Sequence, residues 1–99
     1  MNCTENLLRR RAVETVNGWT KINKKNGETG RVIALGNRVN CNGEMMENLT
    51  IKKNLDNLVE KYKLNNYEIN KIQSEYTVGY ELIITEEDYN TLVNLFKKI

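Results

Sequence analysis

Apolar side chains occupy every second position from Tyr76 to Ile84. Tyr76, Val78, Tyr80, Leu82 and Ile84 alternate with Thr77, Gly79, Glu81, Ile83 and Thr85. A period of two lines all five along one face of a β-strand. The pattern then switches. Thr85 precedes Glu86, Glu87 and Asp88, and Tyr89, Leu92, Val93 and Phe96 follow at helical spacing. A threonine oxygen at that position can accept from a first-turn N–H. The acids suit the positive end of a helix, and Lys97 and Lys98 suit the negative end.

A second helix is predicted earlier. Ile51, Leu55, Leu58, Val59 and Tyr62 form one stripe at helical spacing, with Thr50 or Asn48 as the cap and Asn65-Asn66 as the end. Tyr67 to Ile72 reads as a shorter strand that turns near Gln73-Ser74 into the long one. Arg31 to Leu35 and Asn37 to Cys41 are short β-prone runs, with a turn cluster at residues 26–30 before them. Gly36 marks a bulge between the two runs, as Gly79 does in the long strand, and Asn42-Gly43 reads as a hairpin tip.

The first segment has two readings. Leu8, Ala12 and Val16 recur at helical spacing from Thr4, whereas Val13, Thr15 and Val16 are β-branched and form helices weakly. A type I′ turn at Asn17-Gly18 pairs Val16 with Trp19, Glu14 with Lys21 and Val13 with Ile22, all favourable cross-strand matches. The pairing favours a hairpin preceded by a short helix over residues 4–10. The expected architecture is a single α+β domain over residues 1–99. A mainly antiparallel sheet, an N-terminal meander plus a second hairpin, carries two packed amphipathic helices.

Composition narrows the function. A chain of 99 residues with 39% apolar side chains can bury a modest core. No apolar run reaches the roughly 18 residues of a membrane span, and charges begin too early for a secretion signal, so a cytoplasmic protein is expected. Cys3 and Cys41 are too few for a disulfide framework, and the two Asn-X-Thr triplets carry no weight without a signal peptide.

The chain contains no histidine, which removes the commonest general base and metal ligand. Ser74 is the only serine and has no base beside it, and neither cysteine has a histidine to activate it. Glu86, Glu87 and Asp88 are consecutive, so their side chains diverge, and helix capping explains them better than catalysis. The glycines of "NGETGRV" lack the Lys-Ser/Thr of a phosphate loop. No catalytic residue, metal site or cofactor is expected, and no enzymatic activity.

Charge supplies the functional lead. Residues 1–40 carry eight Lys/Arg against three acids, and residues 41–99 carry seven against ten. The candidate partner-binding set is Arg9, Arg10, Arg11, Trp19, Lys21, Lys24, Lys25, Arg31 and Arg38. In the hairpin reading Arg11 and Lys24 are cross-strand neighbours, so these charges gather at one end of the sheet. The competing reading is a solvated surface of mixed sign with Trp19 in the core. The expected function is stoichiometric binding of a macromolecule, as by a phage or mobile-element inhibitor of a host defence protein. A protein is the first partner class. Nucleic acid held by the basic set is the second, and a small anionic ligand such as a nucleotide at an oligomer interface is the third. A homodimer fits the small core, and no membrane partner is expected.

Overall fold

The computed structural model describes residues 3–14, 20–36, 48–73 and 78–98. In chain order they form α1 (Cys3–Glu14), β1 (Thr20–Ile22), β2 (Thr29–Gly36), α2 (Asn48–Lys61), β3 (Glu68–Gln73), β4 (Val78–Ile84) and α3 (Glu86–Lys97). The strands make one antiparallel sheet in the order β1-β2-β4-β3. The architecture is α+β, as the alternation of patterns predicts.

Register decides which side of the sheet is buried. Ile33 faces Leu82, and Leu35 faces Tyr80. These residues and Ile84 share one core with Leu8 and Ala12 of α1, Ile51, Leu55, Leu58 and Val59 of α2, and Tyr89, Leu92, Val93 and Phe96 of α3. All three helices therefore pack on that face. Val32 and Ile83 are also buried but belong to the opposite face, outside this core.

The cross-strand pairing of Val13 and Glu14 with Ile22 and Lys21, expected from a hairpin at Asn17-Gly18, is overturned. Val13 and Glu14 belong to α1, while Lys21 pairs with Gly30 and Ile22 with Thr29. Long-range burial outweighs local propensity here. Leu8 and Ala12, one helical turn apart, are fully buried, with Thr4 buried one turn earlier. Arg11 is consequently a helical residue and not a neighbour of Lys24. Asn17, Gly18, Trp19, Arg38, Cys41 and the turn at Asn42-Gly43 lie outside the described residues. Only β1 and β2 of the expected N-terminal meander are described, and three helices, not two, pack on the sheet.

Gly79 forms no bulge, and the run after Gly36 lies outside the described residues. The β2–β4 register runs unbroken through Gly36 opposite Gly79, and Gly79 also pairs with Ile72. Gly30 is a strand residue and not part of the preceding turn. A Cβ there would lie 2.5 Å from the carbonyl oxygen of Ile84, so close backbone approach requires glycine.

The end of α2 comes earlier than Asn65-Asn66. The Leu64 N–H donates to the carbonyl of Val59 at 3.0 Å and the Lys63 N–H to that of Glu60 at 3.2 Å. Lys63 adopts a left-handed conformation with φ 54°. This is a Schellman ending with lysine where glycine is the usual residue, and buried Leu64 supplies its hydrophobic contact. The start of α3 is the expected one. Thr85 Oγ1 accepts from the Asp88 N–H at 3.0 Å.

Candidate interaction surface

Most cations of the predicted set that lie on the sheet are engaged within the chain. Lys21 Nζ donates to both carboxylate oxygens of Glu81, at 3.1 and 2.9 Å, on the face opposite the helices. Arg31 grips Glu86 with two hydrogen bonds, Nε to Oε2 at 2.7 Å and Nη2 to Oε1 at 3.0 Å. Its guanidinium also lies 4.9 Å from the centre of the Tyr89 ring. Hydrogen bonding to Glu86 raises the Arg31 pKa, and the same bonds lower that of Glu86. Lys25 sits 5.0 Å over the Tyr67 ring. The Lys24 backbone N–H donates to Glu68, whose pKa is lowered chiefly by a hydrogen bond from Asn70 and then by this one.

The loop carrying Lys24 and Lys25 is held by Asn23. Its side chain is buried, accepts from the Lys25 N–H at 2.9 Å and donates to the carbonyl of Asn66. This fixes the β1–β2 turn against the α2–β3 connection. Both border a polar cleft of about 400 Å³ at the start of α3. Asn26, Glu28, Asn65, Glu87 and Asp88 line it. Asp88 accepts from the Asn65 N–H at 2.9 Å, and the acids of this turn offset the positive end of α3. Among the described residues no three His, Cys, Asp or Glu side chains are placed to hold a metal ion, and no helix is long and apolar enough to cross a membrane.

A different group of cations gathers at the other end of α3. Tyr62 follows α2, and its ring meets that of Phe96 edge-to-face, with centroids 5.4 Å apart. Lys61 Nζ lies 5.4 Å over the Tyr62 ring and donates to both oxygens of Glu5 at 3.0 Å. Arg9 follows Glu5 by one helical turn on α1, and the Tyr62 phenol pKa is raised first by burial and then by the Glu5 carboxylate. Hydrogen bonding to Glu5 raises the pKa of Lys61.

The Tyr62–Phe96 contact brings the last turns of α2 and α3 together. Lys61 and Lys63 on either side of Tyr62, and Lys97 and Lys98 after Phe96, are all exposed.

No family model matches this chain, and no curated protein or solved structure is significantly similar to it.

The geometry thus divides the predicted partner-binding residues. Arg9 is half-buried on α1 one turn after Glu5, and Arg10 and Arg11 are exposed on the same helix. Lys21 and Arg31 serve internal ion pairs. Lys61, Lys63, Lys97 and Lys98 were missed because each reads locally as an ordinary helix-end lysine. The apolar positions of Tyr62 and Phe96, last in their stripes, are the signal that would have joined them.

Proposed function

We propose that the protein is a stoichiometric binding protein that docks on an anionic macromolecule through the cationic end of its helical layer. One observation carries this reading. Lys63, Lys97 and Lys98 flank the Tyr62–Phe96 ring pair in the chain and are exposed, with Lys61 over Tyr62 and tied to Glu5, and Arg9 one helical turn after Glu5 on α1. Lys63, Lys97 and Lys98 have no ion pair among the described residues. The cations of the sheet, by contrast, stabilise the scaffold through Glu81 and Glu86. A charged surface of this kind steers and orients a partner, and such docking needs no turnover.

Affinity capture from a lysate tests the reading. The wild-type protein should retain a partner that K97E/K98E loses, with both proteins equally folded by circular dichroism. Equal retention by the two proteins would remove this surface from the function.

A further inference from the structure

Resting on that reading, we propose that the partner is nucleic acid, held by its sugar–phosphate backbone across Arg9, Lys63, Lys97 and Lys98. One observation favours phosphate over an acidic protein face, and a second marks Lys63 as a contact. The first concerns apolar anchors. Protein interfaces draw most of their energy from buried aromatic and apolar side chains. Among the described residues only Ile22 and Leu95 are large, apolar and exposed. Tyr62 is half-buried between Lys61 and Phe96, so its ring is not an open platform. Backbone binding needs no such anchor, because release of counterions from the phosphates supplies the driving force.

The second observation is Lys63. Lysine at the last turns of α2 and α3 also offsets the negative helix ends, which accounts for Lys61 and Lys97. It does not account for lysine at φ 54°, where glycine avoids the steric cost. Strained backbone persists where function requires the side chain. Lys63 keeps its charge at the rim of the cluster at the expense of a relaxed helix ending. The acids close by are Glu5, which is buried and already holds Lys61, and Glu60 on the outer surface of α2. The contacts are made to phosphates and carry no base sequence.

The test is a titration of purified full-length protein with fluorescent single-stranded DNA, duplex DNA and RNA of unrelated sequences at several salt concentrations. Log affinity should fall with log salt, with a slope of roughly −2.5 to −3.5 on duplex if three or all four of the cations take part. The variant K97Q/K98Q should lower the slope by about two. Lys63→Gly should lower it by about one while folding at least as stably as wild type. Absence of binding at low salt overturns the proposal. So does binding whose slope neither variant changes. If no nucleic acid binds, yet K97E/K98E loses a protein captured from nuclease-treated lysate, the partner is an acidic protein. The nucleic-acid inference then fails while the stoichiometric function stands.

Discussion

The phenol of Tyr89 donates a 2.9 Å hydrogen bond to the backbone carbonyl of Ala12, linking two residues that are 77 positions apart. Ala12 lies on α1, two residues before Glu14, and its own side chain is buried. The bond is buried, so water is a poor substitute. The same ring supports Arg31, which holds Glu86 at the start of α3. One side chain thus joins α1, strand β2 and the first turn of α3.

Tyr89→Phe keeps the ring and removes only the donor. The expected loss is about 1–2 kcal/mol, the cost of losing a buried hydrogen bond. For a domain of this size that lowers Tm by roughly 4–8 °C per kcal/mol. Thermal denaturation followed by circular dichroism measures it, and an unchanged Tm would show that the bond contributes nothing net.

Gly30→Ala should be more damaging than its single methyl implies. The new Cβ would meet the Ile84 carbonyl oxygen at 2.5 Å and Ile83 Cγ2 at 3.1 Å. The nearest atom is backbone, so the β2–β4 ladder itself must shift. A destabilisation of about 2–3 kcal/mol follows from overpacking of this kind. Urea unfolding tests it, and a variant within about 0.5 kcal/mol of wild type, inside the range of ordinary surface changes, would mean that the strands separate freely.

The contrast between these sites shows what is legible in one dimension. Strand β4 and helix α3 are legible because the switch from period two to helical spacing occurs within neighbouring residues, with Thr85 as punctuation. The extent of α1 is not. Val13 and Glu14 match a hairpin locally, and they are helical because Leu8 and Ala12 pack into a core built largely from later residues. Gly30 resembles its turn-forming neighbours, and only the approach of Ile84 reveals its role. Charge behaves in the same way. The partners of Lys21, Arg31 and Lys61 are 55–60 positions distant, so a tally of cations could not separate those engaged by the scaffold from those presented to a partner. Arg9 is legible in the sequence as a candidate contact, as part of a run of three arginines. The lysines that join it come from elements whose packing no local pattern encodes.

Lys63→Gly should stabilise the fold. A left-handed lysine costs about 1–2 kcal/mol relative to its relaxed conformation. Glycine recovers this at the price of roughly 0.4–1 kcal/mol of unfolded-chain entropy. A net gain of about 0.5–1 kcal/mol is expected, while the Schellman hydrogen bonds of Lys63 and Leu64 are retained. Chemical denaturation of the two proteins in the same buffer measures it. Lower stability in the glycine variant would indicate that the lysine stem makes a contact worth more than the strain.

The Arg31–Glu86 pair sets a pH dependence whose sign is determined. The Glu86 carboxyl is held below its ordinary 4.5 by hydrogen bonds from Arg31. In the unfolded chain it protonates near the ordinary value, so between the two values the unfolded state binds more protons. The contribution is complete above about pH 4.5. It declines as pH falls toward the folded value, and below that it is absent. The pair is partly exposed, so its share is at most about 1 kcal/mol despite the paired hydrogen bonds. Glu86→Gln removes the charge at every pH and leaves Arg31 with a neutral partner. Wild type should therefore be the more stable protein at pH 7, and the difference should shrink as pH falls below about 4.5 toward the lowered folded value and the glutamate takes up its proton. Urea midpoints at pH 7, 5, 4 and 3 trace the two curves. Curves that stay parallel down to pH 3 would assign the difference to packing of the side chain and not to its charge.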